Sequence, residues 1–478
     1  MTAAILVLSG IAFSSCSNKD ASVIDSPDPT PSEQKAKWTV IVYGQTGAEM
    51  DALVESVYEV CKPLMTSPDV RLFFCYQYGK DEVRHGQHTF NAKYAGEGDV
   101  LFFELTKDTD LTKLAASAKD GSQWSLTNPA NLTEAINEAV LRAPAQNYSL
   151  VIYGHGGGFD VEVDCPDALR TSPTRATLYD TWNQQEGGTG AMSMYNLSAA
   201  ISNSSVRHFN TLFFHSCLMG NIECLSNVYT CADNLVTSAH VLVGVNCILE
   251  EYIRGLYQQP DAEKAIAQMF EKCYDEWKTN HYMDETMSLG FNGDMSLVKS
   301  AELPEVMAVL GRLQKRIAEL YPTEKEAIHQ ASDKVYSYLL MKGIMQMDMQ
   351  NYADLLAANT GDDQLKAIAA ELRQALGKAL PKRMMTVGDP FFKLPEFGLS
   401  LVLAKNTTYG RTFAGGYTFQ QAYEASEFHK RSGWGNWLKL NTRDVSRSFD
   451  SSGNIRIGND DAKYDDVTEC EVPDSHDP

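Results

Sequence analysis

Residues 148–159 read Y-S-L-V-I-Y-G-H-G-G-G-F, and residues 211–220 read T-L-F-F-H-S-C-L-M-G. Each opens with a short, near-continuous apolar run and breaks off at glycine or at small polar residues. Runs of this kind belong to strands buried on both faces, the pattern of a parallel sheet covered by helices. The first run leaves His155 just past its end, followed by three glycines; the second leaves Cys217 in the same position. The two residues are 62 apart, about one strand–loop–helix–strand unit, so their strands are expected to be neighbours. Open parallel sheets bind ligands beyond the carboxyl ends of their strands. A thiol and an imidazole on adjacent strand ends form the minimal nucleophilic pair.

The glycines have a physical use. Without side chains the backbone approaches a substrate closely, and its N–H groups can face a developing oxyanion. Gly156 is the best candidate donor, with the Cys217 N–H as a second. His155 would supply the proton that a departing amine needs. Rival readings exist. A dinucleotide fingerprint is disfavoured because F-D-V-E-V-D-C-P follows the glycines where a helix should begin. H-G-G-G also serves as an oxyanion motif in α/β-hydrolase esterases, but no G-x-S-x-G elbow follows it. A core histidine and a structural cysteine are the bland alternative for either motif alone.

Outward from this pair, W-T-V-I-V-Y-G (38–44) and V-R-L-F-F-C-Y-Q-Y (70–78) read as further strands around an amphipathic stretch, Glu49–Met65. The segments 88–95 and 100–105 suggest an antiparallel excursion. Asn131–Ala143 reads as a helix capped by Asn131, with Glu134 three residues on. A further element at 191–201 precedes the Cys217 strand, and 234–239 reads as the last strand. Beyond Asn292 the spacing turns helical, at 303–320, 324–341, 351–358 and 364–380, before a returning strand at 397–403. The expected organisation is an α/β core over 38–292, a helical C-terminal portion over 293–440 and an acidic tail over 441–478. Eight acidic residues and one lysine fill 460–478.

The chain has 478 residues, 44% hydrophobic and 22% charged, with a formal net charge of −21. That composition excludes wholesale disorder, collagen and coiled coil. The acidic balance supplies no footprint for nucleic acid. Residues 2–15 form a short apolar run ending in small residues, directly followed by Cys16. The pattern matches a bacterial lipoprotein signal with Cys16 as the lipidated terminus; a plain signal peptide is its rival. Residues 17–37 read as a polar tether. An exported protein of the cell envelope is expected, touching the membrane only through a lipid anchor. Ten cysteines occur without C-x-x-C or zinc-like spacing. Nine remain after Cys16, so at least one is expected to stay free.

W-T-V-I-V-Y, Y-G-H-G-G-G, S-C-L-M-G-N-I-E, T-M-S-L-G-F-N, D-M-Q-N-Y-A-D-L, G-L-S-L-V-L and W-G-N-W-L follow one another along the chain. In that order they resemble the clostripain-like cysteine peptidases, of the caspase–legumain–gingipain structural group, over about Trp38 to Leu440. The resemblance implies a caspase-like α/β fold, a mostly parallel central sheet flanked by helices. It implies cleavage of peptides or proteins through a thioester, with His155 as general acid/base and Cys217 as nucleophile. The family usually has Asp-Ala before the nucleophile, where this chain has His215-Ser216. His215, Ser216 and Ser238 are the tentative lining of a specificity pocket. Without a carboxylate there, a preference for Arg or Lys before the scissile bond loses its electrostatic cause. His215 reads either as a second titrating group or as a packed strand-end residue. No cofactor is implied by a motif; calcium dependence is known in the family, but no EF-hand loop occurs. A catalytically silent surface lipoprotein and an esterase remain the competing functions. The polar loop 160–190 carries Arg170 and Arg175; it reads as an exposed loop, with activation by cleavage within it as the rival.

Overall fold

The computed structural model describes residues 35–84, 86–159, 177–179, 191–240, 242, 247–259, 261–279, 294–341, 343–385, 396–412, 418–445, 447–449 and 455–457. The Cys16 signal and most of the 160–190 loop lie outside them. Five parallel strands form the heart of the main sheet: β1 (Ala36–Gln45), β2 (Val70–Gln77), β4 (Ala145–Gly154), β5 (Phe209–His215) and β6 (Ala232–Thr237). β3 (Asp99–Leu105) pairs antiparallel with β2 at one side. β7 (Asp294–Lys299) and β10 (Lys382–Met385) extend the other side, again antiparallel. The order is β10-β7-β6-β5-β4-β1-β2-β3, closed by the two-residue strand Lys119–Asp120.

This is the expected α/β architecture, and its reason is visible in burial. Val40, Ile41, Val42 and Tyr43 on β1, and Leu150, Val151 and Ile152 on β4, have almost no exposed surface, so both faces of the sheet are covered. Helices α1 (Asp51–Cys61), α5 (Cys247–Gln258) and α6 (Ala262–Thr279) cover one face. Helices α2 (Pro129–Arg142), α3 (Met194–Asn203) and α4 (Ile222–Val228) cover the other, along with α7 (Leu303–Lys334), α8 (Met349–Thr360) and α9 (Asp363–Ala379). The chain leaves β1 towards β2 on one side and returns to β4 on the other. That reversal puts the switch in strand order at β1 and β4, and such sheets usually bind ligands beyond the carboxyl ends of the strands at that point.

Several local expectations shift. Residues 234–239 do not end the sheet, because β7 and β10 continue it from the C-terminal portion. Of the 88–95 segment only His88 is in a strand, Gln87–His88, which forms a small hairpin with Val83–Arg84. Helix α2 starts at Pro129 and is capped by Asn128, not Asn131; proline fits a first turn, where its missing N–H would have no partner anyway. The two helices expected at 303–320 and 324–341 are one, α7, kinked at Pro322 and Glu324. Its expected end is instead β8 (Ser337–Met341), which joins β9 (Ile344–Asp348) and β11 (Ser400–Ala404) in a second, antiparallel sheet ordered β8-β9-β11. Among the described residues no helix is long and apolar enough to cross a membrane.

Candidate active site

β4 and β5 pair in parallel from Thr211↔Ser149 to His215↔Tyr153. Two residues further along each chain stand Cys217 and His155, so both follow directly on the ends of paired, neighbouring strands. The glycine after His155 closes the gap. A Cβ on Gly156 would lie 2.2 Å from the Cys217 carbonyl oxygen and 3.0 Å from Ser216 Cβ. No residue with a side chain fits so near the Cys217 backbone. Both His155 and Cys217 are half-buried. The Leu242 N–H donates to Cys217 Sγ at 3.2 Å, and the Leu242 carbonyl lies 3.7 Å from the same sulfur.

Of Cys61, Cys75, Cys217, Cys224, Cys231 and Cys273, Cys217 alone is not buried. Burial pushes the Cys61, Cys75 and Cys231 thiols above their ordinary value. Those sulfurs are apolar filling, held in the unreactive thiol form. One thiol is thus placed to meet a substrate.

The turn after Cys217 is strained and held. Leu218 adopts φ +61, a left-handed conformation that costs a branched residue energy and persists only when its surroundings fix it. Here the Leu218 N–H donates to the His240 carbonyl (2.9 Å) and the Gly220 N–H to the Ser238 carbonyl (2.6 Å). Segment 238–240 is fixed in turn by Asp294, at the start of β7. Its Oδ1 accepts from the Ala239 and His240 N–H groups (both 3.1 Å) and from the Ser238 hydroxyl (2.9 Å); its Oδ2 pairs with Arg383 of β10 at 3.0 Å. Burial alone would raise this carboxyl. The neighbouring His240 and Arg383, with the Ser238 hydroxyl, overcome that and hold it well below the usual carboxylate range.

The tentative pocket residues are all buried. His215 is 8% exposed and stacks on Tyr153, with ring centroids 4.6 Å apart and planes at 20°. Burial lowers its pKa to about 4, so the ring is neutral at physiological pH. Ser216 Oγ lies 3.4 Å from the Ile152 carbonyl, and Ser238 is the Asp294 partner named above. One carboxylate, that of Asp294, does reach segment 238–240 across the antiparallel ladder, but Arg383 and the main chain already occupy it. Asp294, Arg383, Gln346 and Glu223 were not among the sequence candidates. Asp294, Arg383 and Gln346 come from distant strands with no local motif, whereas Glu223 is the last residue of the S-C-L-M-G-N-I-E stretch that holds Cys217. Among the described residues no three His, Cys, Asp or Glu side chains converge to hold a metal ion.

The sequence profile of the clostripain family, peptidase group C11, matches residues 94–436. The chain belongs to this family. It is a cysteine peptidase, acting on peptide or protein substrates. No curated protein matches the chain. Among solved structures it is similar to a secreted C11 cysteine protease from Bacteroides thetaiotaomicron, at 14% identity and a TM-score of 0.53, over 84% of this chain and 100% of that one. A secreted C11 cysteine protease from the same organism, in complex with an irreversible peptide inhibitor, matches at 16% identity and a TM-score of 0.56, with the same coverage. An inactive zymogen C11 protease from Parabacteroides distasonis matches at 15% identity and a TM-score of 0.51, over 84% of this chain and 99% of that one. At these identities the likeness bears on the fold, and it agrees with the caspase-like reading. Neither the esterase nor the silent lipoprotein finds support among these matches.

Proposed function

We propose that this peptidase works by covalent catalysis, with Cys217 as nucleophile and His155 as general acid/base. His155 takes the thiol proton as the Cys217 sulfur attacks the scissile carbonyl carbon, forming a C–S bond and moving the carbonyl electrons onto oxygen. The N–H groups of Gly156 and Cys217 are the assigned donors to that oxyanion. As the tetrahedral centre collapses, the C–N bond breaks and His155 gives its proton to the leaving amine. Water then adds to the thioester while His155 accepts its proton, and the C–S bond breaks as His155 returns that proton to the sulfur, freeing the acid and the thiol. Acid–base help of this kind is worth roughly 10²- to 10⁴-fold in rate.

The observation that carries this reading is the β4–β5 register, which leads Cys217 and His155 off neighbouring strand ends with Gly156 packed against the nucleophile's carbonyl. A preference for Arg or Lys before the scissile bond is not carried over from the family. A neutral, ring-stacked His215 stands where its Asp does, and Asp294 is committed to Arg383. The expected export signal with lipidation at Cys16 completes the proposal and places the enzyme in the cell envelope.

The test uses a peptide library and an alkylating probe. Iodoacetamide is expected to label Cys217 ahead of the other thiols, and Cys217→Ala to abolish turnover. Retained cleavage by Cys217→Ala refutes the assignment. The library also reports the residue favoured before the cut. Mass spectrometry of the mature N-terminus, showing or lacking an acylated Cys16, decides the anchor.

A further inference from the structure

The glycine run after His155 is braced from the second sheet. Gln346 lies in the middle of β9 and is buried. Its Nε2 donates to the Gly157 carbonyl at 3.0 Å, across 189 residues of chain. Gly158 adopts φ +70, and a Cβ there would lie 2.2 Å from Gln346 Nε2 and 2.4 Å from its Oε1. The loop therefore rests directly on the amide, with no side chain between them.

We propose that Gln346 is a positioning residue for peptide hydrolysis, one that sets the peptide planes of the His155–Gly158 segment. The inference rests on the Cys217–His155 reading above. Three successive glycines have no Cβ to limit their dihedrals, so the run has little intrinsic shape. Oxyanion donors are effective only when they are already aimed before the charge develops. The carbonyl and N–H of a trans peptide point in opposite directions, so anchoring the Gly157 oxygen also fixes the Gly158 N–H. That restraint limits the torsions leading back to Gly156, the donor packed on Cys217. The side-chain amide supplies the rigidity that the glycines lack.

Gln346→Met keeps the length of the side chain and removes the donated N–H. On the best library peptide, kcat is expected to fall roughly 10-fold or more, below the 10²- to 10³-fold loss of an outright oxyanion donor, with KM nearly unchanged. A peptide aldehyde of the same sequence, whose adduct with Cys217 places an oxyanion in the site, should weaken by the same factor as kcat. Alkylation of Cys217 by iodoacetamide develops no oxyanion, so its rate should match wild type. If Gln346→Met melts well below wild type, Gln346→Leu carries the same comparison, since it too lacks the donated N–H. A folded variant with wild-type kcat and aldehyde affinity overturns the proposal, as does one in which alkylation falls along with kcat. Wild-type protein whose Cys217 does not alkylate marks a different failure: the Cys217–His155 pair falls, and the role of Gln346 with it.

Discussion

Glu223 offers a test in which the sign and the size both follow from the structure. It sits in the first turn of α4, six residues past the nucleophile, and is completely buried. Its Oε1 accepts the Val402 N–H of β11 at 3.0 Å and the Tyr423 hydroxyl at 2.7 Å, so it ties the helix after Cys217 to the second sheet. Burial raises its pKa from 4.5 to about 7, and the bonds from Tyr423 and Val402 offset only part of that rise. Between those two values the folded protein holds a proton that the unfolded chain releases. Stability is therefore greatest below the unfolded value and is lost as pH rises through about 7. At about 1.36 kcal/mol per pH unit, the loss from pH 5 to pH 8 is about 2.5 kcal/mol. An unfolding entropy of roughly 2.1 cal/mol/K per residue gives about 0.9 kcal/mol/K for a body of this size, hence about 3 °C. Glu223→Gln keeps the accepting oxygen and cannot ionise. Melting by scanning fluorimetry between pH 5 and 8 should show Glu223→Gln gaining about 3 °C on wild type across that range, whatever their offset at pH 5. Parallel pH curves, or a gap that closes with rising pH, would refute the argument.

Two further perturbations probe the neighbouring buried groups. Asp294→Asn leaves Arg383 as a buried cation without its carboxylate and should cost about 3–5 kcal/mol by denaturant titration at pH 7. Because the wild-type carboxyl is held low, its contribution is present above the ordinary carboxylate range and fades in acid, so the cost should shrink as pH falls towards 3. His215→Phe replaces one stacked ring by another. Wild type resists taking a proton until about pH 4, whereas the unfolded chain accepts one below 6.5, so wild type loses stability as pH falls through 6.5. By the same titration His215→Phe should gain about 2 kcal/mol on wild type between pH 7.5 and pH 5. An unchanged difference would show that the ring is not neutral in the fold.

What the sequence disclosed and what it concealed divide along contact distance in the chain. The strands around His155 and Cys217 were legible because burial on both faces writes a continuous apolar run, and a strand ends where that run stops. That the two strands are neighbours was legible because they lie one crossover apart, as the His215↔Tyr153 pairing shows. Local capping was less secure. Asn131 matched a capping pattern, yet Asn128 before Pro129 takes the role, since proline at the first helical position outweighs a glutamate three residues on. The supports of the site left no trace of this kind. Asp294 meets 238–240 from more than fifty residues away, Gln346 meets Gly157 across 189, and Glu223 meets Val402 across 179. No periodicity or spacing encodes which distant polar group will satisfy a buried main-chain N–H. The change to helical spacing beyond Asn292 therefore looked like the start of a separate portion, although that portion returns β7 and β10 to the main sheet. It also sends Gln346 to the glycine run and Arg383 to the carboxylate that fixes the nucleophile's turn. A strained Leu218 and a shapeless run of glycines can persist only where surrounding structure over-determines them. In this enzyme the N-terminal strands carry the groups proposed to react, and the later half of the chain supplies the constraint on the segments that follow them.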